Sequence, residues 1–169
     1  MSDICMPLGA AISAVDPAGS PQFGVGNRAY DNAGNVYLYL KYDTAGTGLG
    51  LGMGVVLPGT SNQAQGLTLA LSSGGQSIGF CQAGSAATAV AVTAGAFFWA
   101  QIEGEGKVAV ASACAAGVPL YTTAVAGVLD DASNGNIIHG VTINTSVTGN
   151  GFTAATGKIL GGRAGANIA

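Results

Sequence analysis

The stretch Ala94-Gly95-Ala96-Phe97-Phe98-Trp99-Ala100-Gln101-Ile102-Glu103-Gly104-Glu105-Gly106-Lys107-Val108-Ala109-Val110 decides the fold. Its halves are rich in aromatic and β-branched residues, the types that fit a pleated, half-buried surface. Between them, Gly104 and Gly106 are residues that can take the positive φ a hairpin loop needs. The reading is an aromatic strand, residues 97–102, that turns sharply into a small-residue strand, residues 107–111. A hairpin of this kind points to an all-β module.

Working outward, the turn cluster Asp31-Asn32-Ala33-Gly34-Asn35 precedes the run Val36–Tyr42, whose aromatic and β-branched content favours a strand. At period two, Val36, Leu38, Leu40 and Tyr42 share one face, while Tyr37, Tyr39 and Lys41 share the other, which is amphipathic and suited to meet a neighbour. Further strands fit residues 67–71, 77–80, 89–92, 119–122, 137–143 and 158–160. Short strands separated by Gly- or Asn-rich turns predict a small single-domain β-barrel or β-sandwich. Alanine-rich residues 83–91 and 109–116 leave room for one short helix, because alanine is the best helix former.

The chain has 169 residues, which fits one domain. Pro7, Pro17 and Pro21 disfavour helix in the residues before them, so residues 1–23 read as an extended N-terminal arm and residues 24–169 as a single β-rich domain. Gly46, Gly48, Gly50, Gly52 and Gly54 alternate with larger residues. That stripe lacks the spacing and lysine of a phosphate loop and fits either a loop or a strand whose glycine face admits another backbone closely.

Charged residues make up only 8% of the chain, against about 25% in ordinary soluble domains. From residue 44 to residue 102 there is no Asp, Glu, Lys, Arg or His at all. A net charge of −3 with no Lys/Arg cluster offers nothing to a phosphate backbone, which argues against nucleic acid. The most apolar run, residues 86–102, is short and broken by Thr88, Thr93 and Gly95, whereas a spanning helix takes ~20 apolar residues. No membrane partner is expected. The start Met1-Ser2-Asp3-Ile4-Cys5 lacks the basic region of an export signal. Cys5, Cys81 and Cys114 match neither a disulfide framework nor a metal knuckle, and read as free thiols of a reducing compartment.

Catalytic chemistry has little to draw on. His139, the only histidine, lies in a strand pattern on the face of Ile137, Val141 and Ile143, where it reads as a packed or interface residue. Asp130 and Asp131 lack the alternating ligands of a calcium loop and read as a solvated turn. Glu103 and Glu105 sit together at the expected hairpin tip, whereas glycosidase carboxylates flank a cleft. No nucleophile elbow occurs. The reading assigns no catalytic, cofactor-binding or metal-ligating residue, and no cofactor.

The order of elements from about residue 90 to 147 carries a resemblance. Gly95-Ala96-Phe97-Phe98-Trp99-Ala100-Gln101-Ile102 is followed by Lys107-Val108-Ala109-Val110 and Ala115-Ala116-Gly117-Val118-Pro119-Leu120-Tyr121. Then come Ala126-Gly127-Val128-Leu129-Asp130-Asp131-Ala132 and Ile137-Ile138-His139-Gly140-Val141-Thr142-Ile143. This succession, roughly a third of the chain, resembles the head-decoration, or capsid cement, proteins of tailed bacteriophages. The resemblance implies a non-enzymatic structural protein made in the host cytoplasm, trimeric, bound to the major capsid protein on the exterior of the mature virion, and stabilising the shell. It has no counterpart before residue 44.

Within that expectation, Ile4, Met6, Leu8, Ile12 and Phe23 are the candidate anchors of an arm removable without loss of the fold, and Tyr37 and Tyr39 the candidate strand-face contacts, toward the capsid or a neighbouring protomer. Two other readings compete. One is a tail-tube or fibre module; the other is a carbohydrate-binding β-domain presenting Tyr37, Tyr39 and Trp99 as exposed platforms.

Overall fold

The structure is a computed structural model that describes residues 4–5, 11–43, 48–57, 63–68, 75–149 and 151–165. Its strands are β1 (Ile4–Cys5), β2 (Val15–Asp16), β3 (Arg28–Tyr30), β4 (Val36–Tyr42), β5 (Gly54–Val56) and β6 (Gln63–Gly66). They continue with β7 (Ile78–Cys81), β8 (Phe97–Val110), β9 (Leu120–Thr122), β10 (Leu129–Asp130), β11 (Ile137–Ile143) and β12 (Thr153–Ala164). The molecule is all-β, with no helix among the described residues.

The expected hairpin is not there. Residues 97–110 form one continuous strand, and the glycines bend it instead of reversing it. Gly104 has φ +104°, and the Gln101 side chain folds along the strand to donate from Nε2 to the carbonyls of Glu103 (3.1 Å) and Glu105 (3.0 Å). Asn35 Oδ1 accepts the Glu105 N–H at 2.8 Å, and the β4 register slips between Val36 and Tyr37 opposite this point. The backbone groups a turn would use are thus taken by side chains, and the chain runs straight on with a bulge. Glu103 and Glu105 are exposed along a strand, not at a tip.

This long strand organises the molecule. Its first half pairs with β4 on one side and with β7 and β2 on the other. The order β4–β6–β5–β7–β8 closes on itself into a five-stranded barrel. Its second half pairs with β12 and, through the parallel pair Leu129–Val110, with β10. A second circuit, β8–β12–β11–β9–β10, closes there. The expectation of a barrel or sandwich resolves as a barrel.

Two cores result, and the second is shared, since it also takes Val56, Ile78 and Phe80 from β5 and β7 of the first ring. Leu40, Tyr42, Val55, Phe98 and Ala100 fill the first, and Val108, Val110, Leu120, Leu129, Ile138 and Ile159 the second. A fully buried side chain of the size of Leu40 or Phe98 contributes about 1.5–3 kcal/mol, and both are at 0% exposure. The period-two assignment of β4 holds: Leu38, Leu40 and Tyr42 face the first core, and Tyr37 and Tyr39 the opposite side.

Two further expectations change. The alanine-rich residues 83–91 form no helix, because their backbone is used elsewhere: Leu51 N–H bonds the Ala86 carbonyl and Ala91 N–H bonds the Leu49 carbonyl. The glycine stripe makes this possible, since a side chain at Gly50 would lie 2.3 Å from the Ala87 carbonyl oxygen. In β11 the register breaks between His139 and Val141, with Gly140 at φ +76°, so Ile138, Val141 and Ile143 point inward and His139 is exposed. The inserted residue shifts the phase of the alternation, and His139 leaves the face assigned to it.

Candidate interaction surface

The outer face of β4 and of the first half of β8 carries Tyr37, Tyr39, Phe97 and Trp99, which with Ala29 form a third buried cluster. Residues 11–25 of the same chain lie over it, with Ile12, Phe23 and Val25 packed against these rings. Phe23 sits 5.4 Å from Tyr39 and 5.2 Å from Trp99 between ring centroids, both within the range of favourable edge and tilted contacts. Strand β2 fixes the segment by pairing Val15 with Phe98 and Asp16 with Phe97. The neighbour that the Tyr37/Tyr39 face calls for is this chain's own N-terminal segment.

A buried polar contact locks the arrangement. Asp16 is 6% exposed; its Oδ2 accepts from the Tyr39 hydroxyl and from the Gln22 N–H at 3.2 Å. Burial, together with the Asp16 hydrogen bond and charge, pushes the Tyr39 phenol well above its ordinary range. Tyr37 is pushed up to about 12 by burial and by its 3.1 Å hydrogen bond to Asp31. Burial alone would raise the Asp31 carboxyl, but hydrogen bonds from Asn35, Tyr37 and the Ala33 N–H outweigh it and hold Asp31 below the usual carboxylate range.

The sequence-derived contact residues therefore separate. Ile12 and Phe23 are half-buried against the cluster of Tyr37, Tyr39, Phe97 and Trp99, with Phe23 on Tyr39 and Trp99. Ile4 is described only as backbone, in β1, where it pairs in parallel with Ala29 of β3. Met6 and Leu8 lie outside the described residues. Residues 11–23 belong to the packing of the domain, so removing them uncovers Trp99 and strips Asp16 from Tyr39.

The fold also makes one grouping that sequence distance hides. Cys114 Sγ and the carboxylates of Asp130 and Asp131 lie within 4.8 Å of one another, because β10 runs beside the end of β8. Here the acidic pair caps a loop: Asp131 Oδ2 accepts the Ala115 N–H at 2.8 Å and Asp130 Oδ1 accepts the Asp131 N–H at 2.9 Å. Burial, with the two carboxylates, pushes the Cys114 thiol up to about 11, and burial raises Cys81 to about 12. Both thiols are buried and free, as their apolar settings in the sequence suggest.

No helix among the described residues is long and apolar enough to cross a membrane. Neither a protein-family model nor a curated protein matches this sequence.

Proposed function

We propose that this chain is a non-enzymatic virion structural protein that binds the outer surface of a mature phage capsid and stabilises it as a decoration protein, acting as a trimer. One observation carries the reading. The run without ionisable side chains, residues 44–102, contributes β6, β5 and β7, three adjacent staves of the first barrel. β5 and β7 are buried at every position, so the exposed part of this run is chiefly the segment that follows β7, which presents only Gly84, Ser85, Thr88, Ala89, Val90 (62% exposed), Thr93 and Ala94. Depletion of charge is what distinguishes the centre of a protein–protein interface from the rest of a surface. A ligand that binds only the assembled shell shifts the equilibrium toward it, which is how such a protein strengthens a capsid. The order of sequence elements noted above supplies the identity of the partner.

The carbohydrate reading needs exposed aromatic platforms, and Tyr37, Tyr39 and Trp99 are 6%, 1% and 3% exposed. The test is co-sedimentation of the purified protein with expanded, undecorated capsids, followed by cryo-electron microscopy of the complex. Saturable occupancy at threefold positions is expected. Absence of binding, beside a stable ring or an elongated trimer, moves the protein to the tail.

A further inference from the structure

The chain contains two arginines, Arg28 and Arg163, and both line one cavity of about 290 Å³. They come from opposite ends of the sequence: Arg28 opens β3, opposite Leu38, and Arg163 lies at the end of β12, bridged to Ser77. The floor between them is apolar, formed by Leu38, Leu57, Ile78 and Ile102. Both guanidinium-bearing residues are exposed. Arg163 donates from Nη2 to the Gly75 carbonyl at 3.3 Å, and the Arg28 side chain has no hydrogen bond or ion pair among the described residues. Glu103 lines the same cavity, so the local balance is one net positive charge.

We infer that this cavity receives a single carboxylate of the capsid partner, an Asp or Glu side chain carried next to an aliphatic residue. The inference rests on the proposed capsid role and names the chemistry of its contact. Two fork-shaped donors suit a planar carboxylate, which a guanidinium can hold by two parallel hydrogen bonds. The aliphatic floor takes the neighbouring side chain. A net charge of one admits one carboxylate and disfavours a polyanion. The lining supports a protein partner: an aliphatic centre of Leu38, Leu57, Ile78 and Ile102 with the two arginines at its margin has the apolar-core, polar-rim pattern of a protein interface. In a chain of net charge −3, charge of the opposite sign concentrated at that margin sets the register of the contact.

The experiment measures binding of full-length protein to undecorated capsids at 50 and 300 mM NaCl for wild type, Arg28→Gln/Arg163→Gln and Glu103→Gln. The arginine double variant should bind at least tenfold more weakly at low salt and lose most of the salt dependence, with an unchanged thermal midpoint. Glu103→Gln removes the internal competitor and should bind severalfold more tightly. Wild-type affinity in the double variant, or binding by Glu103→Gln no tighter than wild type, overturns the assignment while leaving the capsid role standing. Absence of binding by the wild type itself overturns the capsid role and the carboxylate contact together.

Discussion

Replacing Gly104 by alanine tests the central claim about β8, that its glycines bend a continuous strand around the Asn35 side chain. A Cβ at this position would lie 2.0 Å from Asn35 Oδ1 and 2.9 Å from Asn35 Cα. At φ +104° the added methyl also forces an L-residue into a conformation that costs roughly 1–3 kcal/mol. To escape the clash Asn35 must give up its bond from Glu105 N–H (2.8 Å) and its own donation to Asp31 Oδ2 (2.7 Å). Each such hydrogen bond is worth about 0.5–1.5 kcal/mol. The sum is about 2–6 kcal/mol, a large share of the stability of a domain this size. Urea unfolding followed by the fluorescence of Trp99, the only tryptophan, reads the loss directly. Asn35→Ala alone should cost only about the hydrogen bonds, roughly 1–3 kcal/mol. In that background Gly104→Ala should cost about 1 kcal/mol less than in wild type, because part of the obstruction has gone. A Gly104→Ala variant within about 0.5 kcal/mol of wild type would mean that no such bend exists and that a turn or an open loop occupies this position.

Other expectations follow from the layer over Trp99 and from the titrating groups. Tyr39→Phe leaves Asp16 buried without its hydroxyl donor and should lower stability by about 1–3 kcal/mol in urea titrations; an unaltered midpoint would show Asp16 to be solvated. Deleting residues 1–23 removes Phe23 from Trp99, so the native emission should shift to the red and acrylamide quenching should rise, whereas deleting only residues 1–3 should change neither. Asp31 has a lowered folded-state pKa, so its stabilisation is complete above the ordinary carboxylate range near 4 and is lost as pH falls through the lowered value. Asp31→Asn should therefore flatten the acid limb of the stability curve. Tyr37 works in the other direction: raised to about 12, it holds its proton after an unfolded tyrosine near 10 has released its own. Its contribution is thus whole below pH 10 and declines between roughly 10 and 12, a fall that Tyr37→Phe should abolish.

Much of the architecture was legible because period two survives wherever both faces of a strand are occupied. The alternation of Val36–Tyr42 put Leu38, Leu40 and Tyr42 on one face and Tyr37 and Tyr39 on the other, but it read the second face as a contact for a neighbour, whereas the chain's own residues 11–25 cover it. Where side chains replace backbone partners, the pattern misleads. Gly104 and Gly106 look like a turn, and only the positions of Gln101 and Asn35, one of them far away in sequence, make the chain continue. The same holds at His139, where one bulged residue reverses the phase. Short pairings escaped for a different reason. β10 is two residues long and exists because Val110 lies beside it, which no local signal encodes. The arginine cavity was invisible for the same reason, its two cations sitting on β3 and β12, far apart in sequence and brought together only by the tertiary fold.

Because β8 belongs to the barrel and to the second circuit, neither closes without that one shared strand. Opening the seam between β8 and β12 unzips the second ring and leaves unpaired the far half of a strand whose near half closes the first. The molecule therefore contains no smaller half able to stand alone, and its unfolding should be a single event with one midpoint for both cores. The ladder partners of β8 also lie far away in the chain, as with Val36 opposite Glu103 and Thr153 opposite Val110. Pairings so distant must close large loops before they gain anything, which makes assembly slow. Once closed, the joint works like the shared rail of two interlocked hoops: a pull on either hoop is resisted by the pairings of both.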